Sequence, residues 1–372
     1  MDINPALIQV SLLSGALACV MMASSCTTLR AADDDQDEYL IGVYYFAGWW
    51  REQPNKWMTE GIDWRADYPW RVPLLGEYNE QETMDREIIA ASEYGVDFFQ
   101  ILWYPPTETG RYEYQDKLNA ACEQFMRSPF NKRMRFSVEY VNHPPFVPQT
   151  DEQWDSACRH LCSYMKHERY LRVGGRPVFK IHGAHHFWNQ CSQDAAKVAA
   201  RVQRLREIAR QEGAGEILVS SGVGAEGVAT GPIVAPYDFL TVYNWIPPLP
   251  CRPQPYPYKE LLDMARNCWR EYALKSEHHF VPYIPAGWDP RPWKDPRPSF
   301  EFPDRNQWMD ALKSAKQALD EYPRLGAPLA GGDRRKMALI YAWNEYGEGG
   351  IVAPTKGESY MKLEAIREVF GK

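Results

Sequence analysis

From residue 39 onward the chain alternates short apolar runs with longer amphipathic ones, and it does so eight times. The short runs cover 39–46, 96–104, 135–141, 177–181, 216–220, 239–244, 280–284 and 337–343. Each has strand length and no sustained polar alternation, the pattern of strands buried on both faces. The stretches between them have helical spacing. In the first, Asn79 and Glu82 are placed to form a capping box, Met84, Ile88 and Ala91 share a face, and Gly95 can end the helix. Further helices are predicted near 118–125, 151–167, 193–211, 259–273, 305–320 and 358–370; only the fifth run has no clear helical partner. Strand–helix alternation specifies a parallel sheet, and eight units over about 330 residues suit a closed (β/α)8 TIM barrel forming a single catalytic domain over 39–372. An open doubly wound sheet is the alternative. The absence of a Gly-x-Gly-x-x-Gly turn after the first run speaks against its dinucleotide-binding form.

The eighth run ends in a chemically loaded turn: Trp343-Asn344-Glu345-Tyr346-Gly347-Glu348-Gly349-Gly350. A buried strand supplies rigidity, and in parallel α/β folds the C-terminal ends of strands carry the chemistry. Two carboxylates three residues apart cannot both ionise cheaply, and opposite protonation states are what cleavage of a glycosidic bond requires. Glu348 is the one expected to titrate upward. The plainer reading of the same residues is a solvated acidic turn.

Composition narrows the partners. A net charge of −7 provides no basic field for a phosphate backbone, so nucleic acid is not expected. The 14 Trp and 22 Tyr exceed what a core needs if some line a sugar cleft, where flat rings cover apolar sugar faces.

The first 38 residues read separately. An apolar stretch over 6–23 leads into Ala23-Ser24-Ser25-Cys26, the form of a lipoprotein signal over 1–25 with lipid attached at Cys26, although Asp2 is the only charge before Arg30. An acidic tether, 26–38, follows. The expected product is exported and lipid-anchored to the outer membrane, cell surface or periplasm. Metabolic labelling with a palmitate analogue is expected to mark the chain and to be lost in Cys26→Ala; unchanged labelling removes the anchor. The cysteines beyond Cys26 read as buried thiols, not as a zinc module.

On a barrel, the strand ends bring specific residues to one rim. The first delivers Tyr44, Tyr45, Phe46 and then Trp49-Trp50, the second Trp103, the third Glu139, the fourth His182. The sixth gives Tyr243 and Asn244, the seventh Trp288 and Asp289, the eighth Trp343, Asn344, Glu345, Tyr346 and Glu348. Acids, amides and rings on one face suit an oligo- or polysaccharide. Each aromatic is as readily core. His182, His185 and His186 lack an acid at metal-ligand spacing, so His182 reads as a hydroxyl donor; the site calls for no metal or cofactor. Asp97, at a strand entry, reads as structural.

The segment Ala342 to Gly349 resembles the Trp-Asn-Glu-Trp-x-Glu-Gly signature of glycoside hydrolase family 99-like proteins, including the WbsX-type proteins named as glycosyltransferases. Similar segments are Gly42 to Phe46, Pro73 to Tyr78, Glu93 to Phe99, Tyr170 to Phe179 and Trp288-Asp289, so the likeness spans roughly 40–370. Tyr346 stands for the usual Trp, and Gly347 matches the WbsX-type branch where family 99 proper often has His. The resemblance implies a (β/α)8 hydrolase, retaining and endo-acting, on α-linked glycans such as mannans. It implies Glu345 as base on the sugar's 2-hydroxyl, giving a 1,2-anhydro sugar, and Glu348 as acid and then base. It maps further site roles onto Tyr243 and Glu139. Two readings compete with hydrolysis: a WbsX-type glycosyltransferase in polysaccharide biosynthesis, and a non-catalytic glycan-binding lipoprotein.

Overall fold

The computed structural model describes residues 38–107, 113–147 and 150–371. The signal segment, Cys26 and the tether up to residue 37 lie outside the described residues. The rest is a closed parallel barrel of eight strands. They are β1 Tyr39–Tyr45, β2 Phe98–Trp103, β3 Arg135–Tyr140, β4 Arg176–Ile181, β5 Leu218–Gly222, β6 Phe239–Thr241, β7 in two pieces, His279–Val281 and Tyr283–Pro285, and β8 Arg334–Tyr341. Neighbours pair in chain order, and β8 returns to β1 with Ile41 opposite Ala338. The break in β7 falls at Pro282, which has no N–H to give a ladder. Its carbonyl still accepts from Leu339 N at 2.9 Å. The first piece therefore pairs with β6 and the second with β8, which completes the ring.

Helices flank the ring: α1 Gln81–Glu93, α2 Gln115–Leu118, α3 Ala120–Arg127, α4 Asp151–Met165, α5 Ala184–Gln190, α6 Ala195–Gln211, α7 Tyr258–Lys275, α8 Arg305–Glu321 and α9 Met361–Phe370. After β5 the described chain makes only a short 3-10 turn, Gly231–Ile233, as the sequence pattern suggested. Thr150 with Gln153, and Asp304 with Gln307, close capping boxes on α4 and α8.

The box expected at Asn79 and Glu82 does not form. Glu80 is the N-cap of α1. Asn79 is instead drawn into a tertiary role: its Oδ1 accepts from Trp49 N at 2.8 Å and its Nδ2 donates to Tyr45 OH at 2.9 Å. Asp97 is structural, its Oδ2 accepting from Ile41 N at 2.6 Å at the base of the β1–β2 pair. Cys122, Cys158, Cys162, Cys191 and Cys268 are buried free thiols, while Cys251 is free and exposed.

Every residue of β1, β2 and β7's second piece is buried. One face of each strand fills the barrel and the other packs on helices, so successive residues point to opposite sides although both are apolar. That parity decides which rim residues reach the cleft.

Candidate functional site

The turn after β8 is built to hold two carboxyl groups still. Asn344–Glu345 pairs antiparallel with Gly350–Ile351. Within the loop, Glu345 O accepts from Glu348 N at 3.1 Å and from Gly349 N at 2.8 Å. Gly349 has φ +84, and a Cβ there would lie 2.7 Å from Asp289 N. At Gly347 a Cβ would meet the Trp293 ring at 2.1 Å, so the indole sits where any side chain would stand.

Three clamps tie this turn to the barrel. Asn344 accepts from Phe46 N and donates to Phe46 O, both at 2.8 Å. Asp289 N donates to Glu348 O at 2.6 Å. Arg71 Nη1 donates to Asp289 O at 2.8 Å and Tyr346 O at 3.1 Å, while its Nη2 pairs with the Asp289 carboxylate.

A barrel tyrosine serves each glutamate. Tyr243 OH donates to Glu345 Oε1 at 2.6 Å, and Tyr341 OH donates to Glu348 Oε2. Burial and the neighbouring carboxylates hold both phenols well above their ordinary range, so they stay protonated donors. Glu345 is 5% exposed. Burial and then the charge of Glu348 push its carboxyl well above the usual carboxylate range. Burial also raises Glu348, against the Tyr341 hydrogen bond and the Arg297 guanidinium 3.8 Å away. The upward shift expected for Glu348 is thus present in both residues. Burial is the first cause in both; the Arg297 guanidinium works against it at Glu348, and the Lys56 ammonium at both. The two titrate as a pair that holds a proton between them.

Below them, Glu139 Oε1 lies 2.9 Å from Lys180 Nζ and 2.6 Å from His182 Nδ1. Burial would raise Glu139, but Lys180 and His182 outweigh it and keep its carboxyl below the usual range. Lys180 also donates to Tyr44 OH at 2.9 Å, and Tyr44 in turn donates to Val242 O at 3.0 Å. Glu139 faces His182 Nδ1, which makes that nitrogen the donor and leaves Nε2 free of it.

These groups border a cavity of about 700 Å³ at the C-terminal end of the barrel. Of the residues expected on the rim, Phe46, Trp50, His182, Tyr243, Asn244, Trp288, Glu345 and Glu348 line it. Glu139 and Tyr44 lie beneath, as members of the buried network. The others face elsewhere. Tyr45 points to α1, donating to Glu87 Oε2 at 2.7 Å. Trp103 packs outward on Tyr140 and His160. Trp343 lies against Phe99, and Tyr346 stacks on Trp57 with centroids 5.4 Å apart. Asp289 is locked in its ion pairs with Arg71 and Arg291. Asn344 holds Phe46.

Tyr104, at the end of the second strand, lines it as that strand's rim position allows, whereas Lys56, His143, Trp293 and Arg297 also line it and carry no comparable sequence signal. Trp293 and Arg297 sit in the Pro-rich loop after β7, where aromatic content after a strand was the available signal. Lys56 comes from the long loop after β1, whose path the sequence does not encode locally. Asn244 Oδ1 and Trp245 Nε1, in two residues of the cavity wall, are buried and have no hydrogen-bond partner among the described residues.

No family model matches the chain. Two curated relatives, each an uncharacterized protein WxcX, come from Xanthomonas campestris pv. campestris, strains B100 and ATCC 33913. Both are 26% identical over 220 residues, covering 56% of this chain and 29% of theirs, so this chain matches less than a third of their length. Among solved structures, the GH99 endo-alpha-mannosidase from Bacteroides thetaiotaomicron superposes with a TM-score of 0.58 at 14% identity, over 90% of this chain and 98% of that one. Its complex with bis-tris-propane gives 0.54 at 15% identity, over 90% and 96%. In its barrel this chain is similar to the GH99 endo-alpha-mannosidase fold, and its carboxylate turn resembles the signature of family 99-like proteins.

Proposed function

We propose that this protein is a glycoside hydrolase of α-linked glycans, with Glu345 and Glu348 as its catalytic pair. One observation carries the reading: both carboxyl groups sit on one cavity wall, each fixed by a tyrosine from the barrel. Buried, preorganised donors that hold two coupled acids favour unequal protonation without reorganisation during reaction.

In the proposed sequence, Glu345 takes the proton of the substrate's 2-hydroxyl and that oxygen attacks C1. The glycosidic C1–O bond breaks, and the departing oxygen takes the proton of Glu348. The product is a 1,2-anhydro sugar. Glu348 then removes a proton from water, water attacks C1, and the C1–O2 bond opens with O2 recovering its proton from Glu345. Two inversions at C1 give net retention. Indoles of Trp50, Trp245, Trp288 and Trp293 line the cavity and offer flat faces to sugar rings. The likeness to an endo-alpha-mannosidase makes α-mannan the first substrate to try. The cell-envelope location read from the Cys26 segment would put the enzyme where external glycans arrive.

Reducing-sugar release from a panel of α-mannans and pectic glycans tests the proposal. Release supports hydrolysis, binding without release favours a glycan-binding protein, and neither points to a transferase. Tyr243→Phe adds a pH readout. The lost hydrogen bond favoured the ionised form of Glu345, so the acidic limb of kcat/KM is expected to move to higher pH, with activity falling roughly tenfold at neutral pH. An unmoved limb would detach Tyr243 from the titrating pair.

A further inference from the structure

We infer that the glycan bound here carries an anionic substituent, which Lys56 and Arg297 hold beside the carboxylate turn; this rests on the glycan-cleaving reading above and names the class of glycan. Lys56 lines the cavity, and among the described residues its ammonium has neither a carboxylate partner nor a hydrogen bond. Two other lysines of this end of the barrel are paired, Lys294 with Glu60 and Lys117 with Glu52. Lys56 is nonetheless well placed. Its carbonyl accepts from Trp64 Nε1 at 2.9 Å and Trp293 Nε1 at 3.2 Å, so its backbone is pinned from two sides. Its ammonium stands 5.4 Å from the Trp293 ring centroid.

Arg297 is held in a complementary way. Asp295 takes its Nε at 3.0 Å and its Nη2 at 2.7 Å, and the guanidinium lies 4.4 Å over Trp288. Its Nη2 is also 3.8 Å from Glu348 Oε1, and no hydrogen bond among the described residues uses Nη1. Two cations therefore flank two indoles on one wall: rings for a sugar face, and charge for a group attached to it.

Lys56 acts on both glutamates through space, favouring their ionised forms, and that field leaves its hydrogen-bond donors unoccupied. Glu345 already has Tyr243, and Glu348 has Tyr341 and Arg297, whereas no ion pair joins Lys56 to either. A neutral glycan would leave this ammonium without a partner. A carboxylate, sulfate ester or phosphate ester would supply one in a partly desolvated cleft, where charge pairing is stronger than in open water.

The test is calorimetric binding to full-length Glu345→Gln protein, which separates binding from cleavage. The probes are α-mannan oligosaccharides, their sulfated and phosphorylated forms, and galacturonate-containing pectic oligosaccharides of matched length. At least one anionic probe is expected to bind about tenfold or more tightly than its neutral counterpart. The preference is expected to shrink with added salt, to disappear when Lys56→Gln is added and to return with Lys56→Arg. The anionic arm that wins identifies the group. Equal binding of neutral and anionic probes, or a preference that survives Lys56→Gln, overturns the inference. If wild-type protein cleaves neutral mannan and shows no anionic preference, the hydrolase reading stands and this one falls. Anionic preference without cleavage of any probe leaves the cationic wall in place and removes the hydrolase.

Discussion

In the Glu348→Gln enzyme, release of sugar from natural glycan is expected to fall by about 10²–10⁴-fold, the usual worth of a positioned general acid. Aryl glycosides with acidic leaving groups need little protonation, so on them the first step should be largely spared. The same variant removes the neighbouring charge that raises Glu345. A folded-state pKa that was raised then drops, so the acidic limb measured on the aryl substrate is expected to shift to lower pH. Glu345→Gln should behave differently, losing activity on both substrate types because no leaving group replaces a base at the 2-hydroxyl. Steady-state kinetics on paired substrates distinguishes the two roles. Full activity of Glu348→Gln on natural glycan removes that residue from the mechanism.

Asp289→Asn is expected to act through the fold. The side chains of Arg71 and Asp289 are 0% and 2% exposed, and burial lowers the Arg71 guanidinium to about 10 despite its partner. Removing the carboxylate leaves that charge in the interior with only carbonyl acceptors, a change that costs about 3–5 kcal/mol. Arg291, 41% exposed at its side chain, can turn to solvent and recovers little of the loss. Urea unfolding is expected to show the drop, and activity should fall with it because Arg71 also holds the carbonyls of Asp289 and Tyr346. A variant that unfolds like wild type but binds glycan more weakly would instead return Asp289 to the cleft as a sugar ligand.

The two residues illustrate what could be read before the tertiary structure. Glu345 and Glu348 were marked by local chemistry: two acids among glycines at the end of an apolar strand. The glycines have a steric reason, since a Cβ at Gly347 or Gly349 would strike Trp293 or Asp289. Asp289 was marked by the same kind of reasoning, yet a side chain from residue 71 claims it. No spacing along the chain encodes that encounter. The aromatics show the limit even within one strand. Tyr44 and Tyr45 are adjacent and both fully buried, but one joins the barrel interior and the other meets Glu87 on α1. A strand covered on both faces has no hydrophobic alternation, so apolar pattern carries no information on which face is which. Asn79 was read as a helix cap, and the fold spends its amide on Trp49 and Tyr45 instead.

By itself the sequence determined the barrel, the order and approximate limits of its strands, the fifth strand's lack of a following helix, and the carboxylate turn. Backbone periodicity, turn glycines and short motifs act over a few residues and leave a local record. Only the tertiary structure decided which rim residues share the cavity, that Arg297 and Lys56 stand on its wall, that Glu139 lies under His182 with Lys180, and that both glutamates are raised rather than one. Those outcomes depend on strand parity, on the paths of long loops, and on how much water each charge loses. All three are fixed by contacts between residues far apart in the chain.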